Sequence, residues 1–330
     1  MATIRDVARK ANVSVATVSR VLNGSPKVSD AAREAVLQAR SELGFYLNAN
    51  AQALVKQDAD VVGLVVSDVS DPYFGTMAKE CENAAYANGN SLLICQVFHD
   101  KNRERKAIEK LLSHHCRGIV AHILTMADDE LKYYMKLVPS MVLVNRTLEG
   151  FEHRCVNIDN HYGEMLATNE LLRNGHKKII YIGSSHRILD RQERLAGYKD
   201  ALAQAGIAYD ERMVLEVEPS LEGGVTAAQS LLKSDLKYTA IACYNDSIAA
   251  GIIATLSNHG IKIPHDVSVV GFDDLFLSRC TTPTLTTVYQ PISKMSHAAV
   301  QLAVSLYKQE EFKYDPFELK LVKRNSVENV

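Results

Sequence analysis

Polar and aromatic side chains follow five short apolar runs in this chain. The residues concerned are Tyr73, Phe74, Asn145, Arg146, Asn245, Asp273 and Gln290. Aromatic rings pack against the apolar C–H face of a sugar, and Asp, Asn and Arg side chains form paired hydrogen bonds with its hydroxyl groups. As a group, these residue types predict a binding site for a small sugar. Any single one of them could equally cap the helix that follows its strand.

The fold must bring these positions together. From Val61 onward, apolar runs that favour strands alternate with helical stretches. The predicted strands are 61–66, 91–97, 118–122, 141–144, 155–158, 178–182, 213–217, 240–243, 267–272 and 285–288. The predicted helices are near 72–88, 102–114, 161–174, 190–205, 222–233, 246–259 and 291–308. Near-continuous apolar strands are typical of parallel sheets covered on both faces, and the length predicts an α/β body with two doubly wound lobes. Ligands of such sheets bind beyond the carboxyl ends of the strands.

Enzymatic chemistry has little support in the sequence. There is no G-x-G-x-x-G, P-loop or G-x-S-x-G motif. Ser230 and Lys233 match an S-x-x-K spacing, but they lie on a predicted amphipathic helix with no partner motif. No nucleophile, base and orienting group occur in a recognisable arrangement, so we expect neither an enzyme nor a cofactor.

The cysteines and histidines do not predict a metal or a disulfide framework. Six cysteines occur at long, irregular spacings, at positions 81, 95, 116, 155, 243 and 280. His114, His115 and Cys116 with His122 could suggest a metal, but they span a helix end and a buried strand without further ligands. The chain shows no export signal and no apolar run long enough to span a bilayer, so we expect reduced cysteines and a cytoplasmic protein.

The first 45 residues predict three short helices. Ile4, Val7 and Ala8 form one helical face after the capping residue Thr3. Ser14 caps a second helix whose inner face includes Val18. A third helix begins after Ser29, and Gly44 ends it. This is the helix-turn-helix pattern, although the first two helices alone would also fit an ordinary αα-hairpin.

The charge distribution and a linker separate this segment from the body. Residues 1–57 contain eight Lys or Arg against four Asp or Glu, whereas the whole chain has a net charge of −2. A basic segment on an acidic body is suited to contact with phosphate groups. Asn48 to Leu54 favour a helix of about two turns, which is too short to be stable alone in water. Residues 56–60 form a polar linker.

The order of motifs is similar to that of the lactose/galactose-repressor family of bacterial transcription regulators. The motifs are ATIRDVARKANVSVATVSRVLN, VSDAAREAV, NANAQAL, VGLVVSDVSDPYF, RLAGY, ACYNDSIAAG, DVSVVGFDD and TPTLTTVYQP. The resemblance runs from Thr3 to about Val327. It implies a helix-turn-helix headpiece at 1–57 and an effector-binding and dimerisation domain at 58–330. The latter would be similar to periplasmic sugar-binding proteins.

For the headpiece, the resemblance implies specific contacts with double-stranded DNA. Val15, Ala16 and Arg20 match base-reading positions, where Val and Ala can contact a thymine methyl group and Arg can bind guanine. Val15 could instead pack inside. Phosphate contacts are implied for Ser14, Thr17, Asn23 and Ser29.

Asn48–Val55 resembles the hinge helix of the family, which implies that this segment folds on DNA against a second copy. Asn48 and Leu54 would contact DNA, with Leu54 inserted into a minor-groove base step. Leu54 could instead be an ordinary helix-face leucine in a linker. The family usually has proline where Leu47 stands, which puts the rigidity of the hinge and the strength of its coupling in question.

For the body, the resemblance implies lobes at about 60–159 with 290–318, and at about 160–289 with 319–327. It adds Arg194, in RLAGY, to the effector contacts named above. Pro219 stands where the family often has an aromatic residue, which argues against a flat purine and leaves room for a small sugar. No leucine heptads follow Val327, so we expect a homodimer on a palindromic operator.

The expected function is a repressor whose operator affinity falls when a small sugar, with galactose as the expected one, binds between the lobes. Three alternatives stay open. The ligand could act as a corepressor, the chain could be a transport protein that binds sugar, or it could be an α/β enzyme.

Overall fold

The computed structural model describes residues 2–22, 25–45 and 59–330. The chain divides into two compact units, Met1–Ala59 and Asp60–Val330. The asparagine at position 23, the predicted hinge with Asn48 and Leu54, and Leu47 lie outside the described residues. Within those described, no helix has the length and apolar character needed to cross a bilayer.

The first unit contains three helices around a small apolar core. They are α1 (Ile4–Lys10), α2 (Val15–Leu22) and α3 (Asp30–Glu42). The predicted caps are confirmed, because Thr3 and Asp6 form a capping box and Ser14 accepts a hydrogen bond from the Thr17 amide. Ser29 likewise accepts from the Ala32 amide. The core consists of Val7, Ala8, Val18, Val21, Val36, Ala39 and Phe45.

The first sheet of the body has five strands. In chain order they are β1 (Ala59–Val66), β2 (Ser91–Gln96), β3 (Cys116–Ala121), β4 (Met141–Val144) and β5 (Cys155–Val156). Their spatial order is β2-β1-β3-β4-β5. The helices α4 (Pro72–Ala87), α5 (Lys101–Ser113) and α6 (Asp128–Leu137) connect them. Leu64 and Val65 are buried on opposite faces of β1, as expected for a sheet covered on both sides.

The second sheet has six strands in the spatial order β11-β10-β9-β8-β6-β7. They are β6 (Ile179–Ser184), β7 (Val214–Val217), β8 (Ala240–Cys243), β9 (Ser268–Asp273), β10 (Thr286–Tyr289) and β11 (Lys320–Val322). Only β11 pairs antiparallel to its neighbour among the described ladders of this sheet. The helices are α7 (Asn160–Arg173), α8 (Leu189–Gln204), α9 (Leu221–Leu232), α10 (Asp246–Asn258) and α11 (Leu277–Cys280).

After β10 the chain returns to the first lobe. Helix α12 (Ile292–Lys308) packs against α4 and β3, and the chain then crosses back to place β11 beside β10. Gly118 permits the close approach of α12, because a Cβ atom at Gly118 would lie 2.8 Å from that of Ala303. The predicted α/β class with two parallel sheets is confirmed.

Helix α6 was not predicted from the sequence. Its first residues follow Ala127, which makes no side-chain capping bond. Three acidic residues in its first turn, Asp128, Asp129 and Glu130, stabilise the helix start through the helix dipole instead. The polar N-cap residue that marked most of the other helices is therefore absent here.

Candidate functional site

A cavity lies between the two lobes of the body, beyond the carboxyl ends of their strands. About 460 Å³ of space free of protein atoms lies there, and part of it is open solvent. The first lobe contributes Asp71, Tyr73, Phe74, His99, His122, Leu124 and Asn145. The second contributes His186, Ile188, Asp190, Arg194, Pro219, Tyr244, Asn245 and Asp273. The structure thus brings together most of the predicted effector residues.

Arg194 and Asp273 form the charged part of the cavity wall. Both are buried, with 3% and 5% of their surface exposed. The Arg194 Nη2 atom lies 3.9 Å from the Asp273 Oδ1 atom. Burial raises the pKa of the Asp273 carboxyl above its ordinary value, and the neighbouring guanidinium only partly offsets this. The pair offers donors and acceptors side by side, the arrangement that binds vicinal hydroxyl groups.

The guanidinium of Arg194 is held firmly by its surroundings. Its carbon lies 3.6 Å from the centre of the Phe272 ring and 4.5 Å from that of Tyr244. Its Nε atom donates to the Asn160 Oδ1 atom at 3.0 Å, and Nη1 donates to the Tyr244 carbonyl. The Tyr244 hydroxyl in turn donates to Asp190 at 2.8 Å. The direction of the free donors is therefore fixed before any ligand binds.

Tyr73 is the centre of a second polar group in the first lobe. Its hydroxyl oxygen accepts from the Asn145 Nδ2 atom at 2.6 Å and from the Gln290 Nε2 atom at 3.3 Å. Gln290 is buried behind Tyr73 and is not one of the cavity-lining residues. The Oδ1 atom of Asn145 and the Oε1 atom of Gln290 are buried and have no hydrogen-bond partner among the described residues. Such acceptors are suited to the hydroxyl groups of a ligand or to bound water.

Three histidines also line the cavity, and they were not predicted from the sequence as part of a sugar site. The rings of His99 and His186 face each other across the lobes at 4.4 Å between centres. His122 packs at 4.8 Å from Phe74. Burial lowers the pKa of His99 to about 4 and that of His122 to about 3, so both rings are neutral near pH 7. His122 follows β3 directly, so the strand-end rule could have found it.

Asn245 and Pro219 lie together at the edge of the cavity. The Asn245 Oδ1 atom accepts from the Ile248 amide and caps α10, while its Nδ2 atom donates to the Pro219 carbonyl at 3.1 Å. The capping role and the cavity position therefore coexist in one side chain. Pro219 covers the wall at the position where the family often has an aromatic residue.

Arg146 is not among the described residues that line the cavity, so its effector contact stays a prediction. Its Nη1 atom donates to the Ile123 carbonyl at 3.0 Å and its Nη2 atom to the Met126 carbonyl at 2.8 Å. It also forms an ion pair with Asp128. The loop after β3 has carbonyl groups that need donors, and the long side chain of Arg146 turns to them.

The first unit presents a separate candidate surface on α2. Ser14, Ala16, Arg20 and Ser29 are exposed, and Thr17 is partly buried against the helix start. Val15 is 42% exposed, so it does not pack inside, whereas Val18 and Val21 form the inner face. The exposed set has the apolar and guanidinium groups that can contact base edges in a major groove.

Two family models match the chain. Residues 3–48 match bacterial regulatory proteins of the lacI family, and residues 59–303 match periplasmic binding proteins and the sugar-binding domain of the LacI family. The HTH-type transcriptional regulator GalR of Escherichia coli strain K12 is 50% identical over 306 residues, which are 93% of this chain and 89% of that protein.

Two solved structures cover nearly the whole chain. A complex of the transcriptional regulator CelR with cellobiose has 30% sequence identity and a TM-score of 0.71, and covers 99% of this chain and 100% of its own. The lac repressor dimer bound to operator and the anti-inducer ONPF has a TM-score of 0.85 at 24% identity, over 99% of both chains. The latter likeness establishes a shared fold.

Proposed function

The chain belongs to the LacI family of bacterial regulatory proteins, and we propose that it is a transcriptional repressor released from its operator by galactose. The observation that supports a sugar as the effector is the cavity between the lobes. Arg194 with Asp273 on one side and Tyr73 with Asn145 on the other offer polar groups to hydroxyls. The rings of Phe74 and Tyr244 offer apolar faces to a pyranose.

A small sugar fits the cavity better than a flat base does. Pro219 stands on the wall where the family often has an aromatic residue, so a purine would lose one of its stacking partners there. The related regulator CelR has been solved with cellobiose, which is consistent with sugar binding at the corresponding domain. Galactose is favoured among sugars because half of the aligned residues are identical to those of GalR.

DNA binding is assigned to α2. Val15, Ala16 and Arg20 would read base edges, and Ser14, Thr17, Asn23 and Ser29 would contact phosphates. We propose that two copies bind a two-fold symmetric operator. The lac repressor, which has the same fold, has been solved as a dimer bound to operator. The segment 48–55 would act as the hinge, with Leu54 at the central base step.

The proposed mechanism is a coupling between two binding equilibria. Galactose binds polar groups of both lobes, so it favours the arrangement of the lobes in which those groups are close together. If operator DNA favours a different arrangement, each ligand weakens the other by the same factor. Such coupling typically amounts to roughly 1–3 kcal/mol.

The test is a titration of the protein–DNA complex. An operator is selected from a random duplex library with the full-length chain, and binding is followed by fluorescence anisotropy while galactose, glucose or ribose is added. We expect galactose to lower operator affinity, and the Asp273→Asn variant to bind operator without responding. Tighter binding with galactose would identify a corepressor, and no response to any sugar would refute the sugar-effector proposal.

A further inference from the structure

The backbone at the end of β9 is unusual next to the ligand cavity. Asp273 has φ of +106° and Asp274 has φ of +55°, a region that L-residues other than glycine rarely occupy. This turn directs the Asp273 carboxyl into the cavity wall beside Arg194. A strained turn persists only where the surrounding structure holds it, so the groups that hold it matter for the site.

One of these groups is Asp246, at the start of α10. Its Oδ2 atom accepts from the Leu275 amide at 2.7 Å, directly after the strained residues. Its Oδ1 atom accepts from the Thr287 hydroxyl at 2.6 Å. Asp246 is fully buried, and it fixes the end of the turn to β10.

The other group is Arg324. Its Nη2 atom donates to the Asp274 Oδ1 atom at 2.6 Å, and Nη1 donates to the Leu285 carbonyl at 2.8 Å and to the Ser278 hydroxyl at 3.1 Å. The Ser278 hydroxyl also lies 3.0 Å from Asp274. A planar guanidinium can bind several acceptors at once in a fixed geometry, which makes this contact rigid.

Arg324 acts from outside the cavity. It follows β11 in the C-terminal segment and is not one of the described residues that line the cavity. Ser326, two residues later, accepts from the Thr286 amide at 2.8 Å and donates to the Val269 carbonyl at 2.6 Å. These hydrogen bonds of Ser326 tie the segment to β9 and β10. Arg324 thus lies in the sequence between two anchored points, β11 before it and Ser326 after it.

We propose that Arg324 is a positioning residue for the effector: through Asp274 it holds the strained turn that presents Asp273 to the sugar. This inference rests on the proposed function, since it assigns the C-terminal segment a part in sugar binding. Loss of the guanidinium lets the turn relax to ordinary negative φ, and Asp273 then leaves its position beside Arg194.

The experiment compares variants of the full-length chain by galactose titration and by operator binding. Arg324→Met is expected to raise the Kd for galactose about tenfold, while operator affinity without galactose stays within about twofold of the parent. Lys320→Met is the matched control, because Lys320 is an exposed cation of the same segment and forms its ion pair with the exposed Glu318. It should leave both constants unchanged.

A second substitution separates positioning from general stability. Glycine adopts positive φ without strain, so Asp274→Gly should remove the need for the clamp. In the Arg324→Met background it is expected to return the Kd for galactose to within about threefold of the parent. A residue that only stabilised the fold would not be rescued, because Asp274→Gly removes further hydrogen bonds.

A measurement without ligand completes the test. Hydrogen exchange of the Leu275 amide should be at least tenfold faster in Arg324→Met and return toward the parent in the double variant. Unchanged exchange, an unchanged Kd in Arg324→Met, or failure of the glycine rescue would each overturn the inference. If the parent chain does not bind galactose, the proposed effector is wrong, while the exchange rates still decide whether Arg324 holds the turn.

Discussion

Arg194 illustrates why the identity of one side chain decides the chemistry of this cavity. Its guanidinium lies against the rings of Phe272 and Tyr244, and it donates to Asn160 and to a backbone carbonyl. A planar, delocalised cation fits between aromatic faces and still presents donors in one plane. A lysine ammonium in the same place keeps the charge opposite Asp273 but loses the planar geometry and has three N–H donors instead of five.

We therefore predict that Arg194→Lys raises the Kd for galactose by roughly 10–100-fold, as expected for the loss of one or two hydrogen bonds to a charged group. Isothermal titration calorimetry measures it. Arg191→Lys is the control, since Arg191 is on the same helix and pairs with Glu216 away from the cavity lining. An equal loss in both variants would contradict a specific role of Arg194.

Glu164 is a buried carboxyl near Arg194, and burial disfavours its ionised form. It is fully buried, accepts from the Thr168 hydroxyl at 3.1 Å, and its Oε2 atom has no partner among the described residues. Burial raises its pKa to about 8, although Arg194 and the Thr168 hydrogen bond act in the opposite direction. In the unfolded chain the same group ionises near its ordinary pKa of 4.5.

Between those two pKa values the folded chain keeps a proton that the unfolded chain loses. Stability therefore falls as the pH rises from about 4.5 to about 8, and the loss is complete above the folded pKa. Glutamine cannot ionise in either state. We predict that Glu164→Gln gains stability relative to the parent by roughly 1–3 kcal/mol between pH 5 and pH 8. Urea unfolding at both pH values measures it, with the exposed Glu222→Gln as control. Parallel pH profiles of parent and Glu164→Gln would refute the assignment.

Much of this cavity follows from strand ends, and the exceptions have physical causes. Tyr73, Phe74, Asn145 and Asn245 follow strands, Asp273 is the last residue of β9, and all five line the cavity. The rule does not say which way a long side chain turns, and Arg146 turned to the carbonyls of a neighbouring loop. His99 and His186 were missed because their facing depends on how the two lobes pack, which no local pattern contains, whereas His122 was missed because the predicted strand 118–122 included it.

At the scale of elements, α2 shows how one short helix divides two tasks between its faces. Val18 is fully buried in the headpiece core, whereas Val15 is 42% exposed on the proposed reading face. The two residues are chemically identical and only three positions apart. The same substitution should therefore affect mainly the stability of the headpiece at Val18 and mainly DNA recognition at Val15.

We predict that Val18→Ala destabilises the headpiece by roughly 1–3 kcal/mol, because it leaves a cavity in a core of few residues. It should weaken binding to every DNA sequence. Val15→Ala should change stability by less than about 0.5 kcal/mol and alter base preference at one position of each half-site. Hydrogen exchange of the α2 amides and binding-site selection with the full-length chain measure the two effects. Equal destabilisation by both substitutions would contradict this division.

The elements themselves were largely predictable, because buried parallel strands are continuous apolar runs. The predicted strands 141–144 and 240–243 coincide with β4 and β8, and the other predicted strands overlap those observed. Two kinds of feature were beyond sequence reasoning. Helix α6 lacks a capping side chain, and the positive φ angles of Asp273 and Asp274 depend on Asp246 and Arg324, which are distant in sequence.

At the scale of the whole molecule, the proposed repressor has two ligands, and thermodynamics makes their effects reciprocal. If galactose lowers operator affinity by some factor, operator DNA must lower galactose affinity by the same factor. A coupling of about 1–3 kcal/mol corresponds to roughly 5–150-fold in each direction. The relation holds for any structural route between the two units, so it tests the proposed coupling independently of the route.

We predict that saturating operator DNA raises the Kd of the full-length chain for galactose. The factor should equal the one by which saturating galactose raises the Kd for operator. Calorimetry with and without a slight excess of operator measures the Kd for galactose, and fluorescence anisotropy with and without galactose measures the Kd for operator. Arg20→Ala provides the control, because it removes the exposed guanidinium of α2. We expect this variant not to bind operator at the working concentration. Its Kd for galactose should then be the same with and without DNA. Because linkage requires the two factors to be equal, unequal values in the parent would mean that the two titrations do not report the same pair of binding equilibria, and the size of the shared factor is what tests the coupling. Equal factors close to one would mean that the cavity binds sugar without controlling DNA.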